Sequence, residues 1–413
     1  MASNIGRHAE RLDKLAQTAV KVGLGLVPGQ ELVMTAWVDA LPLVRRITEH
    51  AYKAGASLVT TLFSDEESTL ARYRFAPDAG FDAASGWLYD GMAAAFSRGA
   101  ARLAIAGEDP SLLAGQDPVK VSRANLARSA AYQPALKLIA GFDINWNIVS
   151  FAAPAWAKAV FPEDTQEAAV SRLWEAIFAA SRIDNDDPVA AWKAHNDNLH
   201  ARAAHLNAKR YGALRFTGPG TDLTVGLADD HEWHGGSSRA KNGIVCNPNI
   251  PTEEVFTTPH RDRVSGHVSS TKPLSYQGTL IERISVRFEG GKIVDADAAS
   301  GKDVLIKVLE TDSGSRHLGE VALVPYSSPI SKSGLLFYNT LFDENAACHI
   351  ALGQSYSQCF LNGGSLTPEE LAARGANNSL IHIDWMIGSS EIDIDGITAD
   401  GGSEAVMRKG EWV

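Results

Sequence analysis

The stretch ELVMTAWVDALPLVRRITEHAYKAGASLVTTLF, residues 31–63, decides the fold of the N-terminal half. ELVMTAW at 31–37 is an apolar run of strand length, Pro42 through Gly55 reads as a helix closed by glycine, and SLVTTLF at 57–63 reads as a second strand. Strand, helical crossover and strand make a βαβ unit, and such a crossover implies parallel pairing.

The same pattern extends outward. Upstream, Leu12, Leu15, Ala16, Ala19 and Val20 recur at helical spacing, and Gly23 and Gly25 end that helix before Pro28-Gly29 turns the chain. Downstream, GWLYDGMAAAFSRGA is helical, RLAIAGED at 102–109 is a short strand, VKVSRANLARSAAYQPALKLI is helical, and INWNIVSFAAP is a further strand. This is an α/β layout with a largely parallel sheet. Open sheets of that kind bind ligands at the carboxyl ends of their strands. GLGLVPG, however, leaves a helix and precedes the first strand, whereas phosphate-binding glycines follow a strand and open a helix, so no nucleotide cofactor is expected.

TQEAAVSRLWEAIFAASRI and PVAAWKAHNDNLHARAAHLNA extend the helical part. His195, His200 and His205 recur every five residues in the second, which spreads them around a helix and predicts a solvated face. Near Gly212, GALRFTGPGTDLTVGL replaces helix with β-branched residues and turns. Two domains are predicted: an α/β domain over residues 1–211 and a mixed α+β domain over residues 212–413. A length of 413 residues suits two cores.

A formal net charge of −11 argues against nucleic acid and anionic membranes as partners, since both call for clustered Lys and Arg. Cys246, Cys348 and Cys359 are an odd set in a long chain, which suits a reducing cytoplasm better than a disulfide framework. The N-terminal stretch carries charges throughout, unlike a signal peptide. No segment offers the roughly 18 uncharged apolar residues of a membrane span. A cytoplasmic protein acting on a small molecule or peptide is expected.

Chemistry concentrates in the C-terminal half. In NIPTEEVFTTP, Pro251 stiffens the approach to Glu253 and Glu254, and extended backbone sends the two carboxylates to opposite sides. Adjacent glutamates are ordinarily a solvated pair, so their neighbours decide. Glu320 in HLGEVALVP stands at the mouth of an apolar run, where an acid is costly unless paired or bound to a cation; Arg316 and His317 are alternative partners. DENAACHIALGQSYSQCF reads as a helix that places His349 and Tyr356 on one face, two turns apart. Cys348 beside His349 would diverge by about 100° on that helix, which argues against a Cys/His nucleophile.

LIHIDWMIG carries the most telling pattern: as a strand it puts His382 and Asp384 on one face and Ile383, Trp385 and Ile387 on the other. Two polar groups on one face of an apolar strand point to metal ligation or to a buried His/Asp pair. His231 and His234, in a turn rich in Asp, Gly and Ser, are expected in an exposed loop, and Asp295 and Asp297 at a strand edge after the Gly290-Gly291 hairpin turn.

In order and spacing, NIPTEEVFTTP, HLGEVALVP, LFDENAACHIALG, Tyr356 and HIDWMIG resemble the thermophilic aminopeptidase family, the aminopeptidase T and aminopeptidase S group of cocatalytic metallopeptidases. The likeness is carried by residues 212–413. It implies that Glu254, Glu320, His349, His382 and Asp384 hold two divalent ions, with Tyr356 catalytic; the choice of Glu254 over Glu253 rests on spacing to His349 alone and stays open between the two neighbours. It also implies a homodimer whose sites face an internal cavity. The expected activity is removal of N-terminal residues from peptides with a free N-terminus, with Glu253 as the carboxylate that carries the proton and Tyr356 as donor to the oxyanion. Three carboxylates and two imidazoles suit zinc, cobalt or manganese. The rival readings are another binuclear metal amidase or dipeptidase, and a ligand-binding relative without turnover.

Overall fold

The computed structural model describes residues 2–276 and 278–413. The chain forms two compact units, one of residues 1–194 and 237–251, the other of residues 195–236 and 252–413.

The first unit is built on a four-stranded sheet in which every pair is parallel. Its strands are Glu31–Trp37, Leu58–Ser64, Ala101–Ala106 and Trp146–Ser150, and the second, first, third and fourth lie side by side in that order. The predicted crossover is the helix Leu41–Lys53, with Pro at its first turn and Leu43, Val44, Ile47 and Ala51 buried on one stripe. Gly55 follows it at φ 94°, the left-handed conformation that ends helices and that a Cβ disfavours. Removing Leu43 or Ile47 from water, both fully buried, stabilises the unit by about 2 kcal/mol each. The opening helix, Ala2–Thr18, runs on as a wider turn over Ala19–Leu24 and stops at the left-handed Gly25, one of the two glycines expected to end it. Val33, Met92, Phe96, Ala135 and Ile139 form a core between sheet and helices.

The second unit is mainly antiparallel. An eight-stranded sheet runs in the order Lys292–Asp297, Ser285–Glu289, Pro259–Ser269, Thr221–Leu227, Ala213–Gly218, Asp393–Ile397, Ser403–Arg408 and Glu411–Trp412. The first two strands are the predicted hairpin around Gly290 and Gly291. Asp295 lies on this edge strand, and Asp297 on it pairs with Lys302 at 2.9 Å. A five-stranded sheet runs in the order His382–Met386, His349–Gly353, Leu318–Leu323, Val255–Thr257 and His234–Gly235. It carries the chemistry.

One predicted element is overturned. Residues 343–360 do not form a helix: Glu344–Ala346 makes one tight turn, His349–Gly353 is a strand, and Ser357–Cys359 makes another turn. HIALG is buried at every position and pairs on both sides, and a five-residue apolar run of that kind has no period with which to tell strand from helix.

Candidate metal centre

The register of three antiparallel strands assembles the site. Glu320 lies opposite Ala351, and Ala351 lies opposite Asp384, so the three share one face in a single row. His349 stands two residues along the central strand from Ala351, and His382 lies opposite Gly353, so both imidazoles reach the same face. Glu254 immediately precedes Val255–Thr257, which pairs with the Glu320 strand through Val255 and Leu323.

The side chains converge. His349 Nε2 is 3.2 Å from Glu254 Oε2 and 3.6 Å from Glu320 Oε1, while His382 Nε2 is 3.4 Å from Glu320 Oε2 and 3.5 Å from Asp384 Oδ1. Glu254, Glu320 and His349 form one group of ligand atoms within 4.8 Å of one another, and Glu320, His382 and Asp384 form a second. Glu320 belongs to both, with one oxygen toward each histidine.

The other imidazole nitrogens are occupied by carbonyls. His382 Nδ1 is 2.8 Å from Gln354 O and His349 Nδ1 is 3.2 Å from Ala347 O. An Nδ1–H donating to a carbonyl leaves the Nε2 lone pair aimed at the carboxylates, the arrangement that orients histidine ligands.

Electrostatics favour a cation. Among the described residues, the ion pairs of Glu254, Glu320 and Asp384 run only to the two histidines. Burial acts to lower the His349 pKa, but Glu254, Glu320 and Asp384 outweigh it and hold the imidazole well above its ordinary value. His382 is raised in the same way against its burial, chiefly by Asp384. Burial lifts Glu254 despite His349, whereas His382 overrides burial and keeps Asp384 low. Asp384 Oδ1 is buried without a hydrogen bond. Clustered anions and an orphaned carboxylate oxygen, short of positive charge, fit divalent metal ions.

The remaining expected residues fall around this cluster. Tyr356 stands three residues beyond the strand end at Gly353, and its ring centroid is 4.7 Å from that of His382. It therefore reaches the site past the left-handed turn of Gly353, not along a helix face. The residue is 36% exposed, while burial around its hydroxyl and then the carboxylates of Glu320 and Asp384 push the phenol well above its usual range. Glu253 is 4% exposed and places Oε2 3.7 Å from His195 Nε2.

Several expectations change here. His195 is mostly buried and lies 2.8 Å from Thr252 O, so only His200 and His205 of that series lie on an exposed face. His231 is buried, with Nδ1 2.9 Å from Ala228 O, and His234 Nε2 is 2.7 Å from Gln358 O, so neither sits in an exposed loop. His317 is 2.8 Å from Arg261 O. Cys348 points away from His349 because neighbours on extended backbone face opposite sides. Its thiol contacts Val324, and burial pushes its pKa up to about 11.

Sequence reasoning missed Glu344. Burial, followed by Glu254 and Asp384, raises its pKa well above the carboxylate range. Together with Asp384, Leu274, Thr340 and Met386 it lines a small pocket of about 10 Å³, the room of roughly one water. The rule that singled out Glu320, an acid inside an apolar run, applies equally to Glu344 in LFDENAACHIALG. Its neighbour Asp343 is spoken for by the backbone N–H groups of Phe337 and Asn339 at 2.7 and 3.0 Å.

The thermophilic metalloprotease (M29) family matches residues 8–412. Aminopeptidase T of Thermus aquaticus is 54% identical over 404 residues, 98% of each chain. Aminopeptidase 2 of Geobacillus stearothermophilus is 46% identical over 408 residues, 99% of each. The solved structure of wild-type AmpT from Thermus thermophilus superposes with a TM-score of 0.93 at 53% identity, covering 98% of this chain and 99% of that one. These likenesses define the class first: the chain is a metallopeptidase, a hydrolase of peptide bonds. Within that class it belongs to the thermophilic metalloprotease family M29.

Proposed function

We propose that this chain is an aminopeptidase that removes N-terminal residues from peptides at a centre of two divalent ions. Glu254, Glu320 and His349 would hold one ion, and Glu320, His382 and Asp384 the other. The observation that carries this reading is Glu320, whose two oxygens point to two different histidines 3.6 and 3.4 Å away, as a bridging carboxylate would. Zinc, cobalt and manganese all suit a set of carboxylates and imidazoles. When bound, such ions supply Lewis acidity toward the scissile carbonyl and lower the pKa of an attacking water.

The protein's own groups then do the positioning and proton transfer. Glu344, which lines the small pocket beside Asp384, in its ionised form accepts a proton from the attacking water and returns it to the leaving amine nitrogen. Glu253 is the competing carboxylate, and its place beside His195 makes it the second base to test. Tyr356, kept protonated by its surroundings, donates its O–H to the developing oxyanion. A substrate's free α-amine would be received by one of the ions or by a neighbouring carboxylate such as Glu253.

Three free, buried cysteines support a cytoplasmic setting. Among the described residues no helix is long and apolar enough to cross a membrane. Exposed Phe75, Trp87 and Leu126 of the first unit offer apolar surface that a second copy would cover in a homodimer.

Cleavage of a free peptide against its N-acetylated form tests the reading. The free peptide is expected to be cleaved at its first bond and the blocked one left intact; equal rates on both sink it.

A further inference from the structure

The peptide unit joining Thr252 to Glu253 lies outside any strand, just before the candidate ligand Glu254. Its carbonyl is 2.8 Å from His195 Nε2, and its N–H donates to Asn345 Oδ1 at 2.7 Å. Both polar groups of one buried peptide are therefore satisfied by side chains, where a strand would use its neighbour's backbone. Asn345 is itself fixed: it is fully buried, its Nδ2 donates to Leu341 O at 3.0 Å, and its own carbonyl accepts from Ser328 Oγ at 3.0 Å. His195 arrives from the helix Pro188–Lys209, far away in sequence. On the other side of Glu254, Val255 is held in the ladder opposite Leu323 and Gly235. Glu254 thus hangs between a ladder on its C-terminal side and a two-sided clamp on its N-terminal side.

We propose that His195 and Asn345 are positioning residues that set the plane of the Thr252–Glu253 peptide, and through it the direction in which the Glu254 carboxylate meets a metal ion beside His349. This rests on the reading that Glu254 holds one of two ions. Without the clamp the peptide is free to rotate about the bonds on either side. The carboxylate of Glu254, 3.2 Å from His349 Nε2, then loses its fixed place. The strands of Glu320, His382 and Asp384 are tied to one another through His349–Gly353, and Val255–Thr257 stays in its ladder beside Leu318–Leu323 without the clamp, so the second group of ligands keeps its geometry.

The test is a titration of the metal-free, full-length protein with Co²⁺ against a competing chelator, followed by its visible absorption. The wild type is expected to take up two ions. His195→Ala is expected to weaken one of them by about 10- to 100-fold, to leave the other within about threefold, and to alter the spectrum of the weakened ion alone. His195→Gln, whose amide donates to Thr252 O from the position of Nε2, is expected to restore both affinities to within about threefold. If His195→Ala does not fold by circular dichroism, His195→Asn, too short to reach that carbonyl, is read in its place. A folded variant that binds both ions as the wild type does, or loses both equally, overturns the proposal. A wild type that binds fewer than two ions overturns the two-ion reading, and this inference with it.

Discussion

Replacing Glu320 by glutamine tests the bridge directly, because it removes one negative charge and changes almost no volume. The amide can point its oxygen at only one histidine and must turn its NH₂ toward the other, 3.6 and 3.4 Å from the present carboxylate oxygens. One group of ligands therefore keeps a neutral donor, and the other gains a donor that repels a cation. A unit charge interacting across 4 Å at an effective dielectric of 20 is worth about 4 kcal/mol, or roughly 10³ in affinity. Part of that is returned, because without Glu320 the imidazoles hold their protons less tightly and compete less with the ions. We therefore expect both ions to weaken, by on the order of 10², with the ion that faces the amide NH₂ losing more than the other. Asp384→Asn, by contrast, touches one group only and should weaken one ion by a similar factor. Both variants are measured by chelator competition and by kcat/KM on a leucyl chromogenic amide. If Glu320→Gln weakens only one ion, or neither, Glu320 does not bridge and the two-ion centre is refuted.

Three further outcomes follow from the same residues. Metal affinity should rise with pH above 6.5, with a slope of up to about one per imidazole, because binding must expel protons that His349 and His382 hold above their ordinary pKa; a flat profile refutes this. Tyr356→Phe should lower kcat by about 10²- to 10³-fold while metal content stays unchanged, and an unaltered kcat removes the tyrosine from the chemistry. His231, buried and held neutral with its pKa lowered to about 4 by burial, adds stability that is fully present above 6.5 and is lost as pH falls toward 4. On urea unfolding of the metal-free chain, His231→Gln should therefore lose about 3 kcal/mol less than the wild type between pH 7 and 4, and equal losses refute that account.

The first sheet was legible because parallel strands must alternate with crossovers, and Pro42, Gly55 and Gly25 punctuate those crossovers with backbone preferences of their own. ELVMTAW lies on the strand Glu31–Trp37 residue for residue. What the sequence could not show is lateral order. The first strand sits between the second and the third because of packing over long separations, as does the return of residues 237–251 to the first unit. The misread helix at 343–360 has a local cause. His349–Gly353 is one short, wholly buried run between turns, and its strand character comes from partners at 318–323 and 382–386 that local pattern cannot see.

The site divides along the same line. His382 and Asp384 announced themselves through period-two alternation in one strand, a property of adjacent residues. The clamp on Thr252–Glu253 joins residues 57 and 92 positions apart and leaves no local trace, so His195 looked like one of three solvated histidines and nothing in the chain around Asn345 singled it out. Glu253 and Glu254 show why the distinction matters. On extended backbone a slip of one residue exchanges the two faces, so the chain TEEV is compatible with either glutamate meeting His349. The ladder at Val255 sets the phase from one side and the paired side chains on the preceding peptide set it from the other. With both in place, Glu254 lies 3.2 Å from His349 and Glu253 lies 3.7 Å from His195. A choice between neighbours that composition and spacing left open is made by two distant side chains, each of them invisible to a reading that moves along the chain.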